Sequence, residues 1–170
     1  MSRRSSVTVR EQPVAGVTSV TGALRVHSET LTIESTERFQ MIDLTERVMA
    51  IVRGLGIKEG VVNLFSMHTT CTVFINEFQN ALLSDIRTFL ETVVARDVAW
   101  RHNDPAHSDC DRMNADSHLR AMLLGHSLSV QVSGGEVVLG QWQRLLLAEL
   151  DGPRTRTLRL MAMGIGQLSN

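Results

Sequence analysis

Apolar and polar positions along the chain alternate in some stretches and recur every three to four residues in others. Leu24 and Val26, then Leu31 and Ile33, alternate with polar residues and predict two strands joined between His27 and Thr30. Leu44, Val48, Ile51, Val52 and Leu55 recur at helical spacing. They predict a helix capped by Asp43, with Glu46 completing a capping box and Gly54 and Gly56 ending it. Val61 to Met67 and Thr72 to Asn76 read as strands; His68-Thr69-Thr70 is either a tight link or a kink within one long strand. Leu82, Leu83, Ile86, Phe89, Leu90, Val93 and Val94 form one apolar stripe, so 82–94 is the strongest helix prediction. A short helix over 117–124, capped by Asn114 or Asp116, should turn Leu119, Met122 and Leu123 inward and stop at Gly125. Leu128, Val130 and Val132 alternate, and Gly134-Gly135 turns that strand back into Val137 to Leu139. Strands over 145–150 and 157–163 flank an Asp151-Gly152-Pro153 turn. Strands, adjacent hairpins and three helices together indicate an α+β domain.

Length and composition narrow the class. At 170 residues, 43% hydrophobic and 21% charged, the chain fits a single globular domain over 24–170, preceded by a Ser/Arg-rich flexible leader over 1–23. The net charge of −1 gives no basic field to recruit nucleic acid. Two cysteines, Cys71 and Cys110, make no disulfide framework and suit a reducing cytoplasm. No apolar run reaches the ~18–20 residues that span a bilayer, so no membrane partner is expected. Cys71 reads as a small buried hydrophobe, and Trp142 as a core or subunit-contact anchor.

Candidate chemistry concentrates between Trp100 and His118, WRHNDPAHSDCDRMNADSH, where three of the six histidines meet four aspartates and Cys110. His102 and His118, joined by His68 after the FSM run, would make a three-imidazole set of the kind that holds a catalytic metal. Their spacing matches no short metal signature. Glu77 and Glu149 are candidate bases or ligand-orienting carboxylates. Glu149 shares a strand face with Leu145 and Leu147, which points it inward. Arg154 and Arg156 lie on one strand face as either a phosphate or carboxylate clamp or a solvated edge.

The runs HTTCTVFINE (68–77), RHND (101–104), NADSHLRAMLLGHSLSV (114–130) and GQWQRLLLAELDGPRTR (140–156) resemble the YjbQ-type family, whose members carry the label of secondary thiamine-phosphate synthase enzymes. The resemblance covers roughly residue 24 to the C-terminus. It implies a compact α+β subunit with an extended antiparallel or mixed sheet, usually a homotrimer, and one polar cleft at a subunit boundary. By resemblance the cleft takes in His68, Asn76, Glu77, the His102–Asp104 pair, His118, Gln143 of the Gly140-x-Trp142-Gln143 motif, and Glu149. The implied activity joins a hydroxymethyl-pyrimidine diphosphate to a thiazole phosphate with release of pyrophosphate. The expected assignment is therefore His68, Glu77, Asp104 and Glu149 as catalytic groups, and Asn76, Asn114, Gln143, Arg154 and Arg156 on a phosphorylated substrate. A divalent ion, zinc or magnesium, is expected on His68, His102 and His118. The alternative is a trimeric ligand-binding or metabolite-sensing module without turnover. Cys71, Gln141 and Arg144 depart from the family pattern, and Arg144 is placed to alter substrate access.

Overall fold

Two antiparallel sheets share one apolar core in the computed structural model of the chain, which describes residues 19–166. Most of the expected leader, residues 1–18, lies outside the described residues. In chain order the elements are β1 (Ala23–Glu34), β2 (Gln40–Asp43), α1 (Thr45–Gly54), β3 (Ile57–Ser66), β4 (Cys71–Asn76), α2 (Asn80–Val93), α3 (Ala115–Leu124), β5 (Ser127–Ser133), β6 (Glu136–Val137), β7 (Arg144–Glu149) and β8 (Thr155–Gly166). One 3₁₀ turn, Arg101–Asn103, precedes α3. The larger sheet runs β1-β8-β3-β5-β6 and the smaller β2-β7-β4. This is the expected α+β class, with every strand pair antiparallel.

The two strands expected before Glu34 are one. β1 pairs with β8 in unbroken register from Ala23↔Gly166 to Glu34↔Thr155. An unbroken strand keeps a side-chain period of two, so Leu31 and Ile33 enter the core while Leu24 and Val26 land on the opposite face. Leu24 and Val26 are 66% and 60% exposed, and Val26 sits opposite exposed Met163 on β8. The result is an exposed apolar stripe on the outer face of the large sheet.

Gly134 and Gly135 both take positive φ, which the tight β5–β6 turn needs and a side chain would resist. Asp43 caps α1 from one residue further out than expected: Leu44 is the N-cap, and the Asp43 carboxylate accepts from the Thr45 N–H at 2.8 Å. The link 67–70 is no hairpin, because it carries the chain from β3 in one sheet to β4 in the other.

Helix burial departs from the apolar stripes. On α2 only Leu90 is buried, while Phe89 and Val93 are exposed. On α3 the inward face is Ala115, Asp116, Ser117, Arg120 and Ala121, and Met122 and Leu123 face solvent. The reason lies beneath: α2 and α3 cover a small second core of Phe39, Leu90, Ala121, Ala148 and Leu150, and beside it runs a buried ion-pair network that needs polar partners. β7 sits between the two cores and is buried at all six positions. Trp142 is exposed and so is no core anchor within the chain. Among the described residues no helix is long and apolar enough to cross a membrane.

Candidate functional site

Where β7 turns into β8, two buried carboxylates organise a set of guanidinium groups. Glu149, fully buried, accepts from Arg156 through both oxygens, from Ser35 Oγ at 3.0 Å and from the Asp151 N–H at 2.8 Å. Arg156 is itself buried and donates onward to Thr70 Oγ1 at 3.0 Å. A Cβ on Gly152 would lie 2.8 Å from Glu149 Cγ and 2.3 Å from the Glu37 carbonyl oxygen, so only glycine lets the turn close over the pair. Asp151, also fully buried, accepts from Arg38 at 3.0 Å, Arg112 at 2.7 Å, Arg154 at 3.3 Å and Asn114 Nδ2 at 2.8 Å. Burial alone would push the Asp151 carboxyl up. The hydrogen bonds from Arg112 and Asn114 and the charges of Arg112 and Arg38 outweigh it, holding the carboxyl below the usual carboxylate value.

These anchors leave Arg154 and Arg156 lining an open pocket of about 300 Å³, together with His68, Thr69, Thr70, Asn114 and His118. No Asp or Glu is among its lining residues. The α3 N-terminus brings Asn114 and His118 in, the 67–70 link brings His68, and the start of β8 brings the arginines. Asn103 pins the 3₁₀ turn to α3 by accepting from the Ala115 N–H at 2.9 Å. That places the His102 ring edge-on to His118, centroids 5.0 Å apart, in an adjoining apolar pocket with Trp100 and Leu119.

Both pocket histidines are held neutral. Burial lowers the His68 value, with the Arg156 charge adding to it. The Thr157 N–H donates to His68 Nε2 at 2.8 Å, so that nitrogen carries the lone pair and Nδ1 the proton. Burial likewise lowers His118, followed by the neighbouring His102. The His118 ring should therefore titrate below 6.5, and His102→Ala should move it upward; NMR titration of the ring protons checks both. An unchanged midpoint in the variant would leave His102 without an electrostatic role.

The structure separates other expected site residues from this pocket. Glu149 backs it as the partner of Arg156 rather than lining it with a free carboxylate, so a general-base role does not suit its saturated oxygens. Asn76 and Glu77 end β4 at the far side from Thr70 and Cys71, roughly 17 Å of extended strand away. Asp104, half-exposed, accepts from the Ala106 N–H at 2.9 Å and lies 3.8 Å from His107, as a turn carboxylate does. Gln143 folds back to accept from the Gly140 N–H at 2.7 Å. Arg144 is buried and donates to the Gln143 carbonyl at 2.8 Å, directed into its own loop. Cys71 is buried, which pushes its thiol up to about 11, as a packing residue rather than a nucleophile.

His68 commits its Nε2 lone pair to Thr157, and among the described residues no three His, Cys, Asp or Glu side chains converge as a ligand group. Sequence reasoning missed Asp151, Arg38 and Arg112. Asp151 looked like a turn residue, and Arg38 and Arg112 fall in stretches without periodicity.

A model of YjbQ-like UPF0047 proteins matches residues 29–165. A UPF0047 protein of Methanothermobacter thermautotrophicus is 42% identical over 141 residues, which is 83% of this chain and 94% of that protein. The UPF0047 protein YugU of Bacillus subtilis is 33% identical over 136 residues, 80% of this chain and 98% of that one. The crystal structure of a YbjQ-like protein of unknown function from Sulfolobus solfataricus superposes with a TM-score of 0.77 at 31% identity, covering 84% of this chain and 99% of that one. With most of its length matched in both sequence and fold, the chain belongs to the YjbQ-like UPF0047 family.

Proposed function

We propose that the chain binds a small phosphorylated molecule in the histidine–arginine pocket and turns it over by acid–base chemistry centred on His118. The observation that carries this reading is the lining itself: two guanidinium groups, two neutral imidazoles and an amide, with no carboxylate among them. Arg154 and Arg156 present cationic N–H groups to a dianion, and their buried carboxylate partners fix where those groups point. His68, protonated on Nδ1, is a hydrogen-bond donor of fixed tautomer. His118, neutral at pH 7, can accept a proton from a nucleophile and later return it to a leaving group. The transfer implied by the family resemblance, in which the ring nitrogen of a thiazole phosphate displaces pyrophosphate from a pyrimidine diphosphate, would use the pocket differently: that nitrogen has no proton to give up, so His118 would only donate a hydrogen bond to the departing diphosphate. There the guanidinium groups would take the charge of the departing diphosphate.

Initial rates over a panel of phosphate monoesters and diphosphates, including that pair, test the reading. His118→Ala should lower kcat by about 10²–10⁴-fold, and Arg154→Gln should chiefly raise KM. Saturable binding of panel members with turnover of none would favour the second reading, a binding module. Its supporting observation is that His68 already has its Nε2 occupied by the backbone.

A further inference from the structure

We propose that a second cavity, on the α2 side of buried Asp116, is a separate binding site for a small phosphate-class anion. It measures about 290 Å³, and Arg38, Arg87, Arg96 and Arg120 all line it. Three carboxylates, Glu91, Asp97 and Asp116, line it too, so guanidinium groups outnumber carboxylates by one in the lining, with Asp151 pairing Arg38 from behind it. Two of those carboxylates are already engaged. Glu91 takes Arg87 at 3.0 Å, and Asp116 takes Arg120 at 3.1 Å and Arg38 at 3.4 Å.

Two of the cationic side chains are held by specific contacts. Arg120 is buried, with Nε and Nη2 both on the Val94 carbonyl at 3.1 and 2.8 Å. Arg87 lies over the Phe39 ring, 5.2 Å from its centroid. Such preorganisation removes much of the ordering cost that a flexible arginine meets on binding an anion. Burying Arg120 and Asp116 beside an open cavity has no packing advantage over apolar side chains of similar size, whereas an anion-binding role accounts for it.

The site also touches the first. Arg38 divides its guanidinium between Asp116 at the second cavity and Asp151, which holds Asn114 and Arg154 of the histidine pocket. An anion drawing on Arg38 therefore loosens the hold on Asp151, and occupancy of one cavity is felt in the other.

Inorganic phosphate titrated into the full chain, followed through the arginine Nε–Hε and Asn114 side-chain amide NMR signals, tests this. Arg87 and Arg120 should shift saturably, with Asn114 following at the same midpoint. Arg87→Gln combined with Arg96→Gln, both at exposed positions, should weaken that event by about tenfold or more and leave the fold intact by circular dichroism. Arg154→Gln, which disables the histidine pocket, should leave the Arg87 and Arg120 shifts in place. Signals of Arg87 and Arg120 that stay still, or that move equally in the double variant and the wild type, would overturn the second site.

Discussion

Glu149→Ala is expected to destabilise the fold by about 3–5 kcal/mol and to lower Tm by on the order of 10 °C, because it leaves the Arg156 guanidinium buried without its countercharge. The pair joins the end of β7 to the start of β8, so it ties the small sheet to the large one. Arg156 meets the pocket over only 2% of its surface, too little for water to replace the carboxylate, and Thr70 offers only a hydroxyl and a carbonyl. Replacing both partners with apolar residues, Glu149→Met with Arg156→Leu, should cost less than the single change, since no charge is then stranded. Denaturant midpoints of the three proteins decide the matter. A single variant that unfolds at the wild-type midpoint would show that solvent reaches the pair.

The second large effect is at Asp151. Asp151→Asn keeps the shape but removes the charge facing Arg38, Arg112 and Arg154. Those arginines are each about a third to a half exposed, so solvent screens part of the loss. The expected cost is about 2–3 kcal/mol, below that at Glu149. The pH dependence carries a sign. The folded-state value of Asp151 lies below its unfolded value, so its contribution is present above about pH 4 and is lost as pH falls through the folded-state value. Wild-type stability should therefore drop on acidification below about pH 4, and the drop should be shallower in Asp151→Asn. Parallel acid limbs would show that Asp151 makes no net electrostatic contribution. Freed from Asp151, Arg154 should also bind a phosphate monoester less tightly, so ligand affinity and stability fall together.

Why some features were visible in the sequence and others were not follows from the range of the interactions. α1, α2, α3 and the Gly134-Gly135 turn are set by local periodicity and backbone preference, and each appears within a few residues of where the pattern puts it. The single course of β1 is set by its twelve-residue pairing with β8, which local alternation does not record. The inward face of α3 is decided by the Asp116 ion pair to Arg38 and the Arg120 hydrogen bonds to the Val94 carbonyl, so a rule that buries Leu and Met chose the wrong side. Inward placement of Glu149 followed from its parity with Leu145 and Leu147. Its role did not, because Arg156 lies on another strand and saturates it. His102 and His118 meet because Asn103 anchors the 3₁₀ turn to α3, a contact that no spacing rule contains.

On the proposed reading, His68, His118, Arg154 and Arg156 act together on a phosphorylated ligand. The most direct measurement is a phosphate monoester titration monitored at the His68 and His118 ring resonances, in wild type and in Arg154→Gln. Both rings should shift along one saturating curve in the wild type, and the curve should move to much higher concentration in the variant. Rings that do not respond, or that respond alike in both proteins, would contradict the claim.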